Sequence, residues 1–192
     1  MKVIVYKAID IPEEAYVYVS LIFKDACRER EEQGIYFSFG SFKPDDIKAY
    51  YGNGGGYLIV AQDVTRIVGS LMVMSSKKGP IKYISHDYLG IADDYKGKGI
   101  ASLMFSKLLD LCKSESYDCI VSVTNPKALS SVKYHCKNGF KIFRMNYNGN
   151  GRSYSFIYPV KRFHFLNISF IRQVIYNALS GISYLKNRIR NI

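Results

Sequence analysis

The sequence contains no tryptophan, no C-x-x-C pair, no acidic residue after Val160 and no run near the roughly 20 apolar residues of a membrane-spanning helix. Each absence narrows the function. The four cysteines, Cys27, Cys112, Cys119 and Cys136, are well separated and lie in apolar or helical contexts. Without C-x-x-C spacing they argue against a zinc ribbon or dithiol redox motif, so no metal site is expected, and they read as reduced, buried thiols. The lack of a spanning run, and an opening Met1–Tyr6 too quickly polar for a secretory signal, make a cytoplasmic enzyme the expectation. The missing tryptophan is set against 17 tyrosines, a compositional drift that leaves some tyrosines available to line a site. No internal repeat is evident.

What is present suits one globular domain with an appendage: 192 residues, 48% hydrophobic and 22% charged. The net charge of +11 comes from 27 basic and 16 acidic residues. Six of the basic residues (Lys161, Arg162, Arg172, Lys186, Arg188, Arg190) lie in the acid-free tail, so 11 − 6 leaves +5 for residues 1–160. The expected division is therefore a domain over 1–160 and a basic extension over 161–192. In the extension, Ile168, Ile171, Ile175, Ala178, Ile182, Leu185 and Ile189 recur at three- and four-residue steps, an amphipathic helical pattern interrupted by Gly181. It reads first as a helix docked on its own domain or on a dimer mate, and second as a surface for an anionic membrane face or a partner. A nucleic-acid partner is not expected, because the charge excess carries no interleaved motif beyond the tail.

Along the domain, residues 2–9 read as a strand, 10–33 as a helix begun by proline and acidic residues, and 44–51 as a short helix. Strands follow at 57–62, 67–75 and 81–91, then an apolar helix over 97–114, a strand at 118–123, a helix at 129–137 closed by Asn138-Gly139, and strands at 140–145 and 153–160. The four-residue run Asn53–Gly56 is not followed by Gly-Lys-Ser/Thr, so it reads as a turn and not a phosphate loop. This order predicts an α/β fold in which helices cover a central sheet.

The richest segment is Tyr88-Leu89-Gly90-Ile91, Ala92 to Tyr95, then Lys96-Gly97-Lys98-Gly99-Ile100-Ala101. A strand runs into a short loop with two glycines, and the loop opens into an apolar helix. The first N–H groups of a helix lack intrahelical partners and sit at the positive end of its dipole, a setting that suits a pyrophosphate. Gly97 and Gly99 allow close backbone approach, and Lys96 and Lys98 add charge. A Rossmann fingerprint is discounted: the third position is Ser102 and three strands precede the loop. A glycine-tolerant loop without a ligand is the plain alternative.

This segment resembles the pyrophosphate loop of the GNAT N-acetyltransferase family, Gln/Arg-x-x-Gly-x-Gly/Ala, with Lys96, Gly99 and Ala101 at the three defined positions. Lysine in place of Gln/Arg keeps charge and loses the planar fork. A second block, Asn125-Pro126 and then Ser131-Val132-Lys133-Tyr134-His135-Cys136-Lys137-Asn138-Gly139-Phe140, is similar to the family's Asn-Pro-x-Ser/Ala-x-x-Leu/Phe-Tyr/His-x-Lys-x-Gly-Phe. Counting back from Gly139 puts Ala128 where the family has asparagine, so either the loop is about three residues longer or Asn125 lacks that role.

The resemblance implies a mixed, mostly antiparallel sheet with a splay between two parallel strands and helices on both faces. It implies acetyl-CoA as cosubstrate. Backbone groups of Leu89, Gly90 and Ile91 would meet the pantetheine arm, amides of Gly97, Lys98, Gly99, Ile100 and Ala101 with Lys96 would meet the pyrophosphate, and Asn125 and Ser131 would meet the arm or adenosine side. The family often uses a tyrosine as acid toward sulfur. Register from Gly139-Phe140 puts His135 there, with Tyr134 one residue earlier as core packing. A histidine's ordinary pKa of about 6.5 suits acid work. On strand 81–91, His86 and Asp87 point opposite ways, and Asp87 is the expected base. Tyr36, Phe37 and Phe39 suggest an aromatic acceptor wall, or core. The expected activity is acetylation of a small-molecule amine such as an amino sugar, amine or antibiotic; the alternatives are a protein amine, or a non-catalytic acyl-CoA-binding or membrane-associated module.

Overall fold

The structure, a computed structural model, describes residues 1–32, 34–35, 42–52, 55–148 and 151–161. The tail pattern after Lys161 and the aromatic run Tyr36, Phe37 and Phe39 lie outside the described residues.

Among the described residues seven strands form one sheet: β1 (Lys2–Lys7), β2 (Gly56–Asp63), β3 (Arg66–Lys78), β4 (Ile81–Ile91), β5 (Cys119–Thr124), β6 (Lys141–Asn148) and β7 (Gly151–Pro159). Their spatial order is β1-β2-β3-β4-β5-β7-β6. Only β4 and β5 run parallel; the other neighbours are antiparallel. Among the described residues four α-helices, α1 (Glu13–Glu31), α2 (Pro44–Tyr50), α3 (Ile100–Ser114) and α4 (Leu129–Lys137), accompany the sheet. The mixed sheet expected from the sequence is the one observed.

β2 explains why helices must cover both faces. Its first six residues are all buried. Tyr57, Ile59 and Ala61 enter one core with Ile100, Met104 and Leu108 of α3. Leu58 and Val60 enter a second core with Val19, Ile22 and Phe23 of α1 and Ile47 of α2. Alternate residues of a strand face opposite ways, so a strand apolar at every position needs cover on each side. Each fully buried aliphatic side chain here contributes about 1.5–3 kcal/mol.

Several boundaries differ from the sequence expectation, with physical causes. β1 stops at Lys7 because Ala8–Asp10 turns as a 3-10 helix, burying Ala8. The expected helix start at Gly97 moves to Ile100: Gly97 and Gly99 have φ of 76° and 80°, outside the right-handed helical region. β3 continues past Ser75 to Lys78, where pairing with Ile81–Tyr83 holds polar residues in the ladder. Of the cysteines expected to be buried, Cys112 and Cys119 are; Cys27 is half-buried, and Cys136 is exposed on α4.

Candidate active site

A cleft of about 500 Å³ opens where β4 and β5 part. Their pairing runs from Tyr83–Cys119 to Ser85–Val121 and ends there. Where the backbone ladder stops, the Ser122 hydroxyl reaches the His86 carbonyl at 2.8 Å. Beyond it, β4 residues 86–91 line the cleft, facing Ser122, Val123 and Thr124 of β5, with α1 and α4 closing the sides.

The phosphate end is built by the loop before α3. Gly99 caps the helix in the left-handed region, and the first intrahelical bond runs from Leu103 N to Gly99 O at 3.1 Å. The amides of Ile100, Ala101 and Ser102 therefore precede the helical ladder and are available to an anion. A Cβ at Gly97 or Gly99 would meet no protein atom within 4 Å. The space in front of the loop is open, so these residues fit a diphosphate. Lys96, Gly97, Gly99, Ile100 and Ala101 all line the cleft, as do Leu89, Gly90 and Ile91. Lys96 Nζ pairs with Asp93 at 2.8 Å. Lys98 is not in the cleft lining; its Nζ lies 4.8 Å from the Tyr95 ring centroid. Gly90 also answers a packing need, since a Cβ there would come within 2.6 Å of Ile22 Cγ2.

Asn125 takes no part in the cleft lining. Its Oδ1 accepts from Lys127 N–H at 2.9 Å, closing the turn that leads into α4. Ser131 does line the cleft, and Thr124 donates to its hydroxyl at 2.9 Å.

At the centre, a bulge sets which side chains of β4 face each side. Val73 of β3 pairs with His86 and Met72 pairs with Tyr88, leaving Asp87 as an extra residue. Ile84 and His86 face the α3–α4 side, whereas Tyr88 and Gly90 face α1. Without the extra residue all four would share one face. Asp87 projects toward α2, exposed, and accepts hydrogen bonds from the Tyr50 and Ser85 hydroxyls. Burial pushes the Tyr50 phenol far above its ordinary range, and Asp87 adds to the rise. Tyr88, Phe42 and Phe23 pack edge-on or stacked beside this corner.

On the opposite side stand His86, His135 and Tyr134. His86 is 2% exposed; its Nε2 lies 3.1 Å from Tyr134 Oη, and its Nδ1 has no partner among the described residues. Burial, with His135 nearby, pushes His86 down to about 3. Tyr134 is half-buried and lines the cleft, its phenol raised above the ordinary range by burial. His135 is 2% exposed and stacks on Phe156 at 4.6 Å. Its Nδ1 donates to the Ser131 carbonyl at 2.7 Å and its Nε2 meets Ser122 Oγ at 2.9 Å. Burial lowers its pKa as well. The sequence expectation placed His135 at the sulfur and Tyr134 in the core. The geometry gives both His135 nitrogens internal partners and puts the Tyr134 hydroxyl beside His86. Sequence reasoning set His86 aside for its neighbour Asp87, and missed Tyr50, Ser122 and Thr124. The adjacent Ser85-His86-Asp87 was the only visible signal, because the partners lie on distant segments.

The acetyltransferase (GNAT) family matches residues 22–140 of the chain, more than half its length. The chain belongs to the GNAT acetyltransferase family. Acetyl-CoA is the cosubstrate of this acyltransferase. No curated protein sequence matches the chain. Solved structures with the same fold include an N-acetyltransferase from Staphylococcus aureus Mu50, 18% identical over 84% of this chain and 100% of that one, with a TM-score of 0.63. An acetyltransferase from Salmonella typhimurium, solved with its cofactor acetyl-CoA, is 11% identical over 85% and 96%, with a TM-score of 0.66. A ribosomal-protein-S5-alanine acetyltransferase from Vibrio fischeri is 15% identical over 84% and 94%, with a TM-score of 0.60. At such identities the likeness is one of fold, and the GNAT loop and splay described above supply the site.

Proposed function

We propose that this GNAT enzyme acetylates a primary amine of a small, cationic molecule. The observation that carries the reading is the Asp87 corner: an exposed carboxylate in the cleft lining, held by the Tyr50 and Ser85 hydroxyls beside Tyr88. A fixed negative charge next to aromatic faces attracts an amine. Acetyl-CoA supplies the acetyl group as a thioester. The amine, once it has lost its ammonium proton, attacks the thioester carbon; the C–S bond breaks as the C–N bond forms. The leaving sulfur takes a proton from Tyr134, the surplus proton of the acylated nitrogen returns to Tyr134 through cleft water, and the ammonium proton shed earlier leaves through water at the exposed Asp87 corner. In this reading Asp87 orients the amine and Tyr134, not His135, is the acid. The amides of residues 99–102 and the Lys96 charge hold the diphosphate.

A screen of amino sugars, polyamines, aminoglycosides and free peptide amino termini with acetyl-CoA, followed by thiol release, tests this. Turnover of a small cationic amine is expected. Turnover of peptides alone would replace the reading with protein acetylation. Tight acetyl-CoA binding with no turnover would favour a non-catalytic module. Cytoplasmic action is part of the same proposal.

A further inference from the structure

His86 has a buried ring, one hydrogen-bond partner and one orphaned nitrogen, and its place in the reaction follows from which nitrogen carries the proton. A neutral imidazole has one N–H donor and one lone-pair acceptor. If Nδ1 carried the hydrogen, a donor would be sealed in the core without an acceptor, and Nε2 would accept from Tyr134. If Nε2 carries it, the donor is satisfied by Tyr134 Oη at 3.1 Å, and only a lone pair is left unpaired at Nδ1. Orphaned buried donors are the rarer and costlier case.

The surroundings support a neutral, immobile ring. His135, Tyr134 and Phe140 pack around it at ring distances of 5.4, 5.6 and 6.1 Å. Ser122 ties down its backbone carbonyl, and among the described residues no carboxylate bonds to its ring. His135, the adjacent titratable group, donates its Nδ1–H to the Ser131 carbonyl and turns Nε2 to the Ser122 hydroxyl, whose single hydrogen serves either that nitrogen or the His86 carbonyl.

We infer that His86 is a positioning residue that donates its Nε2–H to Tyr134 Oη, which turns the phenolic hydrogen into the cleft toward the sulfur of the thioester. The consequence is chemical as well as geometric. When Tyr134 gives its proton to the leaving thiolate, the His86 N–H remains to stabilise the phenolate. His86 itself neither gains nor loses a proton. This rests on the assignment of Tyr134 as the acid in the proposed reaction.

Two measurements test it, and neither needs the amine. The chain has three histidines, His86, His135 and His164, so nitrogen NMR of histidine-labelled protein can assign His86 by difference from His86→Gln. At pH 7 the expected spectrum shows a protonated Nε2 and an unprotonated Nδ1. A protonated Nδ1, or an imidazolium, overturns the inference. The second measurement titrates the thiol of bound CoA by its thiolate absorbance. His86→Phe and Tyr134→Phe are each expected to raise that thiol by about one pH unit, a tenfold loss of thiolate at fixed pH. The double variant should shift it no further than either single one, and His86→Gln, which keeps a donor at the same reach, should restore most of the effect. Should His86→Phe fail to fold, His86→Gln against Tyr134→Phe still decides: a shift in His86→Gln as large as in Tyr134→Phe counts against the donor role. If wild-type protein does not bind CoA at all, the cosubstrate assignment fails, and the nitrogen spectrum judges the tautomer alone.

Discussion

Tyr134 and Asp87 stand on opposite sides of β4, and single substitutions should separate the roles proposed for them. Tyr134→Phe removes the proton donor and leaves the ring packed against His86 and Phe105. Loss of a positioned acid costs about 10²–10⁴ in rate, so kcat should fall in that range while the Kd for acetyl-CoA changes by less than about threefold. Steady-state kinetics with calorimetric CoA binding would show it; unchanged kcat would remove Tyr134 from the mechanism. Asp87→Asn keeps the shape and loses the charge. The expected effect is a rise in the amine KM of about tenfold or more, worth about 1.4 kcal/mol per decade, with acetyl-CoA binding unaffected.

Gly90 and Gly99 are both glycines of the cleft wall, but they need to be glycine for different reasons. A methyl at Gly90 would enter Ile22 of α1, an overpacking that costs about 1–3 kcal/mol. Gly90→Ala should therefore lower the melting temperature by several degrees. A methyl at Gly99 would meet nothing in the protein but would force an L-residue to φ of 80°, a local cost of about 1–2 kcal/mol, and would stand where the diphosphate approaches. Gly99→Ala should weaken CoA binding more than it weakens folding. Equal losses in both would argue that the loop has no anion-binding role.

At the scale of elements, the β4 bulge and the end of the β4–β5 ladder create the site together. The helical and strand periods of the sequence show where β4, α3 and α4 lie, and β4 and α4 have the limits expected from pattern alone. The apolar spacing of α3 and the closing glycine after α4 are local signals, so they survive without knowledge of partners. The bulge is not local. It is defined by which residues of β3 oppose β4, and one extra residue reverses every later side chain. For that reason strict alternation could say that His86 and Asp87 point apart, but not that Tyr88 follows Asp87 to the α1 face. The same logic explains His135. Helical register placed it correctly on α4, yet only packing against β5 and β7 shows that Ser122 and Phe156 enclose it.

The whole molecule should respond to pH through its buried imidazoles. His86 is pushed down to about 3 and His135 is lowered, both chiefly by burial. An unfolded histidine titrates near 6.5. Below that value the unfolded chain binds protons that the folded chain refuses, so stability falls as pH falls from about 6.5 toward 3. The slope is about 1.4 kcal/mol per pH unit for each histidine kept neutral. Asp93 and Asp118, held below the ordinary carboxylate range by bonds from Lys96 and Lys161, add their loss only below about pH 4. Denaturant melts between pH 4 and 8 should show this decline, and His86→Gln should flatten part of it. An unchanged slope in that variant would mean that His86 is not the buried neutral group described here.

The sequence by itself determined the order of elements, the glycine loop and its helix, and through them the family and its cosubstrate. Those features depend on neighbours a few residues apart, where periodicity, capping and turn chemistry act. The tertiary structure alone decided which side chains of different elements meet: Tyr50 with Asp87 and Tyr134 with His86, 37 and 48 residues apart, and His135 with Ser122, 13 apart. Proton-transfer chemistry depends on distances of about 3 Å and on which groups are cut off from water, and no spacing along a single segment encodes either.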